Sequence, residues 1–270
     1  MHSNGRTGTS NMEKMRSSTP QKTASEIGSD YYKRPFDLLI LTMAHIALSP
    51  IFLLLWIVIP IAIWTEDRGS ILYTQTRLGK GGRVFKLYKF RSMIENAEEL
   101  TGAVWAFGGD PRITRVGRFL RARALDELPQ VINLWKGDIS LVGPRPERPE
   151  LAEEIIKTVP RFDERTRVRP GLTGVAQVYG KYATEPRDKI RYDRIYMTRM
   201  SPLLDVKLLF LSVWVTLSGK WQAEDKNVRC AGSLARDDPF QSLLFVPDRV
   251  DLDSPGSQFI GLFNMHFRFI

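Results

Sequence analysis

Residues 38–64 run for 27 positions without an aspartate, glutamate, lysine or arginine, and this apolar stretch restricts the chain more than any other feature. As one straight helix it would reach roughly 40 Å, more than the ~30 Å hydrocarbon core of a bilayer requires. Length alone reads as an ordinary transmembrane helix. The prolines and the flanking charges argue for something else. Ser49-Pro50 falls near the middle, where a proline removes a helix hydrogen bond and crowds the carbonyl four residues back. Pro60 adds a second interruption. Lys33 and Arg34 precede the stretch, and Arg68, Arg77, Lys80, Arg83, Lys86, Lys89 and Arg91 follow it. Positive charge favours the cytoplasmic side, so both flanks belong on one side of a membrane. A helix that enters one leaflet, breaks at Ser49-Pro50 and returns satisfies both, with Ser49 available to bond a carbonyl freed at the break. The expectation is a re-entrant helix-break-helix over 31–66.

Residues 1–30 are rich in Ser, Thr, Asn and Gly and read as a disordered tail. Beyond the apolar stretch the pattern predicts an α+β, mainly helical cytosolic domain over 67–220 with a few short strands. Interfacial amphipathic helices are expected to add to its membrane attachment. Residues 221–270 read as a C-terminal extension without an assigned role. Strand-like runs at 70–73 and 83–88 flank the turn Gly79-Lys80-Gly81-Gly82. The cations Arg83, Lys86, Lys89 and Arg91 read as one wet face, either a protected edge or a contact with lipid headgroups. A short helix is expected over 94–100. Five arginines fall within 110–123, and Arg112, Arg115, Arg118 and Arg121 are three apart, a stripe on a helix. Helices are expected over 189–199 and 203–217. In the latter Leu204, Leu208, Leu211 and Val215 share a face, and Asp205 and Lys207 mark the wet side.

Chemistry concentrates in 124–147. Asp126 and Glu127 stand together before Pro129, and Leu128, Val131, Ile132 and Trp135 recur at i, i+3, i+4 and i+7, a helix face. Pro129 suits the first turn of that helix and Gly137 its end. Residues 139–142 read as a short buried strand, and Gly143-Pro144-Arg145-Pro146 as a turn that presents an arginine. A helix start attracts anions, and arginine binds phosphate oxygens bidentately. The net charge of +9 also points to an anionic partner. Cys230 is the one cysteine, so no intrachain disulfide is available, and His2, His45 and His266 show no ligand spacing. A metal, if used, would then be a hard cation on oxygen ligands. Gly171-Leu172-Thr173-Gly174 reads as a turn that lets backbone approach a ligand closely. The plain alternatives are a helix cap for Asp126 and a solvated face for the arginines.

An ordered set of motifs resembles the bacterial sugar transferases, the monotopic polyprenyl-phosphate phosphoglycosyl transferase family. The set is Lys33-Arg34-x-Phe36-Asp37, Ser49-Pro50, Lys89-Phe90-Arg91-Ser92-Met93, Asp110-x-Arg112-Ile113-Thr114-x-x-Gly117, Leu125-Asp126-Glu127-Leu128-Pro129-Gln130, Val142-Gly143-Pro144-Arg145-Pro146, and Arg169-Pro170-Gly171-Leu172-Thr173-Gly174 with Gln177 and Gly180. The resemblance implies transfer of a sugar-1-phosphate from a nucleotide sugar, a UDP-sugar, to polyprenyl (undecaprenyl) phosphate. This would be the first membrane step of exopolysaccharide, capsule, O-antigen or glycoprotein glycan synthesis. Asp126 would be the nucleophile and a ligand of Mg²⁺. Glu127 would orient the site or the metal, or carry a proton. Arg121, Arg145 and Arg169 would bind phosphate. The implied place is the bacterial inner membrane with the catalytic domain facing the cytoplasm, among membrane lipids and without nucleic acid. Exposed apolar surface is compatible with a homodimer. One departure is Ala124, where the family often carries a hydroxyl residue. The rival reading is a non-catalytic membrane-attached protein whose basic surface grips anionic lipid or nucleic acid.

Overall fold

The computed structural model describes residues 30–99, 110–180 and 185–217. Helix α1, Lys33–Asp67, is its longest element and carries Pro50 and Pro60 inside it. Among the described residues it is the one helix long and apolar enough to cross a membrane. Pro50 has no N–H to offer the Ile46 carbonyl, and Ser49 Oγ donates to that oxygen at 3.2 Å instead. The middle of α1 is bare, with Ile46, Ile51, Leu53 and Leu54 exposed. Its two ends are docked. Leu41 joins a core cluster with Leu87, Leu134, Ile139 and Val142, while Ile59 and Ile63 join a second with Phe90 and Leu120.

Strands β1 (Leu72–Leu78) and β2 (Val84–Phe90) form an antiparallel hairpin running from Leu72↔Phe90 to Leu78↔Val84. The expected turn is there, closed by a 3₁₀ turn at Lys80–Gly82. The wet cationic face is only half there. Arg83 and Lys86 are exposed, but Lys89 turns inward and Arg91 is buried against Asp67. Residues 95–99 form turns rather than the expected helix, and Leu100 lies outside the described residues.

Helix α2 (Arg115–Ala122) is shorter than the arginine spacing suggested. Arg112 stays outside it, held by Asp110, because Thr114 caps the helix start two residues later. Glu66, from the end of α1, accepts from the Arg115 and Val116 N–H groups at 2.7 and 2.9 Å, satisfying donors that have no partner within the helix.

Helix α3 (Gln130–Lys136) ends at Gly137, whose φ of 83° is the left-handed conformation that glycine adopts freely. It buries Gln130, Asn133 and Leu134, whereas Trp135 of the expected apolar stripe is exposed. Strand β3 (Ser140–Val142) follows, then α4 (Pro149–Thr158) and a 3₁₀ segment, Phe162–Arg167. Strand β4 (Gly171–Thr173) pairs in parallel with β3, and the short α5 (Val175–Tyr179), α6 (Pro186–Arg199) and α7 (Pro202–Leu217) complete the described fold. A Cβ on Gly143 would lie 2.6 Å from the Arg169 carbonyl and 2.9 Å from the Gly171 nitrogen. The glycine-rich turn therefore makes its close backbone approach to the Gly143-Pro144 loop.

Asp205 is the clearest departure from expectation. It is fully buried rather than on a wet side, and accepts from Lys33 Nζ at 2.8 Å, Tyr32 OH at 2.9 Å and Tyr196 OH at 2.9 Å. Leu203, Phe210, Val213 and Trp214 leave α7 with an exposed apolar face. The two terminal segments expected as tail and extension, 1–30 but for Asp30 and 221–270, lie outside the described residues.

Candidate active site

Asp126 and Glu127 sit in a single 3₁₀ turn, Leu125–Glu127, just before α3. Ala124 opens the turn in a left-handed conformation, φ 54°, and its side chain makes no cap. Leu125 and Leu128 on either side pack against the second core cluster, so the turn is anchored by its apolar neighbours. Asn133 anchors α3 from the other side. Its amide donates to the Lys86 carbonyl at 2.8 Å and accepts from the Tyr88 N–H at 3.1 Å, tying the helix to β2.

The two carboxylates have different surroundings, as expected for adjacent side chains that do not face each other. Glu127 is saturated with cations. Its Oε1 receives Lys89 Nζ at 2.9 Å and the Arg145 guanidinium, whose other nitrogen lies 3.4 Å from Oε2. Burial alone would push the Glu127 carboxyl up, but Arg145 and Lys89 outweigh it and hold the group well below the usual carboxylate range. Asp126 is 7 % exposed, and among the described residues no hydrogen bond or ion pair reaches its carboxylate. Burial pushes the Asp126 carboxyl up, and the Glu127 charge adds to this against the pull of Lys89, Arg121 and Arg145. Neighbouring groups driven in opposite directions suit different chemical tasks.

Arg121 and Arg145 therefore act on Asp126 as part of one cluster. Arg121 is braced by donating from Nε to Ser92 Oγ at 2.8 Å. The turn bearing Arg145 is braced too, since Arg165 donates to the Arg145 carbonyl at 2.9 Å and Arg77 to the Pro146 carbonyl at 3.0 Å. Arg169 stands apart from the dyad, and its charge acts on Asp30 and Asp37. Ser49 and Pro50 lie in the exposed middle of α1. Lys89 is the functional residue that the strand pattern placed on a wet face. Its position at the head of the Lys89-Phe90-Arg91-Ser92-Met93 motif was the signal for it.

Among the described residues no three His, Cys, Asp or Glu side chains gather as a ready-made metal cage. The donor set does fit Mg²⁺ of the kind that takes one carboxylate and completes its shell with phosphate oxygens and water. Asp126 is the carboxylate with open oxygens. A buried carboxylate with Lys89, Arg121 and Arg145 acting on it offers a charge pattern that a phosphate ester complements.

The bacterial sugar transferase model matches residues 28–219. The chain is 40% identical over 192 residues to an Aeromonas hydrophila protein named UDP-N-acetylgalactosamine-undecaprenyl-phosphate N-acetylgalactosaminephosphotransferase, covering 70% of this chain and 44% of that one. It is 37% identical over 190 residues to UDP-glucose:undecaprenyl-phosphate glucose-1-phosphate transferase of Klebsiella pneumoniae, 68% of this chain and 39% of the other. It is also 37% identical over 196 residues to exopolysaccharide production protein ExoY of Sinorhizobium fredii, 67% of this chain and 83% of that one. The chain thus spans less than half the length of the first two relatives and most of the third. It belongs to the bacterial sugar transferase family.

Proposed function

We propose that this protein transfers a sugar-1-phosphate from a nucleotide diphosphate sugar, a UDP-sugar, to undecaprenyl phosphate, and that Asp126 carries the phosphosugar between them. An Asp126 oxygen attacks the sugar-linked phosphorus. The bond from that phosphorus to the bridging oxygen breaks, and the nucleoside monophosphate leaves with the electron pair. A lipid phosphate oxygen then attacks the same phosphorus, releasing the Asp126 carboxylate and a polyprenyl diphosphate sugar. An acyl phosphate is labile enough to pass its load on. The observation that carries this reading is the contrast within the dyad, where Glu127 is spent on Lys89 and Arg145 while Asp126 keeps its oxygens open. Glu127 holds those cations where a diphosphate would arrive, and Arg121 and Arg145 offer the phosphate contacts. Mg²⁺ held by Asp126 and the diphosphate would neutralise charge there. The relatives' names, which include undecaprenyl phosphate and UDP-sugars, support the choice of donor and acceptor. The test is release of UMP from a panel of UDP-sugars by purified protein with Mg²⁺, with and without undecaprenyl phosphate. No release from any donor by folded protein would leave only a binding role.

The same reading places α1 in the membrane as a re-entrant hairpin, with the rest of the described fold on the cytoplasmic side of the bacterial inner membrane. Arg34 bonds Leu134, its neighbour Asn133 bonds Tyr88, and Arg91, three residues along, pairs with Asp67. A straight helix would separate Arg34 from Asp67 by ~50 Å. This relay spans that only if every side chain lies end to end in one line. The stacking of His45 on Phe52 seven residues away, centroids 4.8 Å apart, also supports a bend at Ser49-Pro50. In a Cys230→Ser background, cysteines placed at Tyr31 and Ser70, both exposed, are expected to react with an impermeant reagent from the same side of sealed vesicles. Labelling from opposite sides would mean that α1 crosses the membrane.

A further inference from the structure

The first two turns of α1 carry three charged side chains, Lys33, Arg34 and Asp37, and all three turn onto the segment that holds the candidate site. Lys33 Nζ donates at 2.7 Å to the carbonyl of Val142, the residue before the turn that presents Arg145. Asp37 Oδ1 accepts from Ser140 Oγ at 3.0 Å and the Leu141 N–H at 3.2 Å, on the strand leading to the same turn. Arg34 reaches the other part of the site. Its two terminal nitrogens donate to the Leu134 and Trp135 carbonyls at 2.6 and 2.7 Å. Carbonyls in the last turn of a helix lack full helical partners, and a cation there also meets the negative end of the helix dipole. The opposite end of this short helix follows directly on Asp126 and Glu127.

We propose that Arg34 is a positioning residue: it fixes α3 to the first turn of the apolar helix, so that seating this helix sets where Asp126 stands. The proposal rests on the reading of Asp126 as nucleophile, and it gives the Lys-Arg pair a task beyond that of a positive flank. The planar fork of Arg34 spans two carbonyls at once. A lysine ammonium keeps the charge but lacks that fork.

The test uses the full chain in lipid nanodiscs and sealed vesicles, with Arg34→Ala and Arg34→Lys beside the unaltered protein. Arg34→Ala is expected to slow the maximal rate of donor labelling about 100-fold, the scale of a small misplacement of a reacting group. Donor KM should stay within about threefold, and added guanidinium ion should restore part of the rate. Cysteine accessibility at both ends of α1 should match the unaltered protein. Arg34→Lys is expected to lose at least ~10-fold. Full activity in Arg34→Lys, or an altered accessibility pattern accompanying the loss in Arg34→Ala, would reduce Arg34 to a topological charge and overturn the proposal. Hydrogen exchange separates this idea from the nucleophile reading, because it needs no turnover. Arg34→Ala should raise amide exchange over 130–138 relative to 186–199, whether or not any donor labels the protein. Unchanged exchange over 130–138 would sink the positioning role by itself.

Discussion

Asp126→Asn is expected to abolish covalent labelling by nucleotide sugar and to cut turnover by about 10⁴-fold or more, the scale seen when an enzyme loses its nucleophile. The substitution changes one oxygen to nitrogen and leaves the turn Leu125–Glu127 its shape. It also removes a buried charge that no group among the described residues bonds. Burial raises the Asp126 carboxyl in the folded protein above its unfolded value, so keeping it ionised costs folding energy. That cost is absent where both states are protonated, grows through the interval between the two values, and is complete above the raised one. The asparagine variant should therefore melt higher than the unaltered protein at neutral pH while being inactive. Glu127→Gln should do the reverse at neutral pH. Its folded carboxyl is depressed by Arg145 and Lys89, so it stabilises above the ordinary carboxylate range and loses that contribution only as pH falls through the depressed value. A thermal melt of both variants, with mass spectrometry of the donor-treated peptide containing residue 126, checks the pair. Normal labelling in Asp126→Asn removes the nucleophile assignment.

The difference between those two neighbours marks the limit of what could be read from the chain. Asp126-Glu127 before Pro129, the Gly143-Pro144-Arg145-Pro146 turn and the apolar stretch are local patterns, and each reports on structure within a few residues. The turn at Gly79–Gly82 and the end of α3 at Gly137 are local too, and they were legible. Lys89 was not, because a strand alternates its faces and a cation is assigned to water unless its partner is known. That partner, Glu127, lies 38 residues away in the chain. Asn133 gives no pattern signal, since its value lies in two backbone groups of β2. The arginine stripe misled in the opposite sense. Spacing of three suggested one helix face, yet the cap at Thr114 starts the helix after Arg112 and the Asp110 carboxylate holds that arginine.

Asp205→Asn is expected to destabilise the protein by about 3–5 kcal/mol, because it removes the carboxylate that the buried Lys33 ammonium bonds directly. For a body of this size that corresponds to a fall in Tm of about 6–20 °C. The side chains of the pair are 5 % and 0 % exposed, so bulk solvent does not screen the charge that is left. Its other contacts, the Val142 carbonyl at 2.7 Å and the Tyr196 hydroxyl at 2.9 Å, are neutral dipoles. Tyr32 and Tyr196 donate to different Asp205 oxygens and asparagine keeps only one, so a tyrosine also loses its acceptor and the start of α1 is loosened from α6 and α7 together. Removing both charges should cost far less than removing one, since a buried ion pair replaced by apolar residues of similar volume is close to neutral. Lys33→Met combined with Asp205→Leu is therefore expected to recover most of the Tm lost in Asp205→Asn. Lys33→Met and Asp205→Leu made singly close the cycle, and non-additivity between them is the signature of direct coupling between residues 172 apart in the chain. If the double variant melts at the sum of the two single losses, the ion pair is not what joins the start of α1 to the helices near the chain's other end.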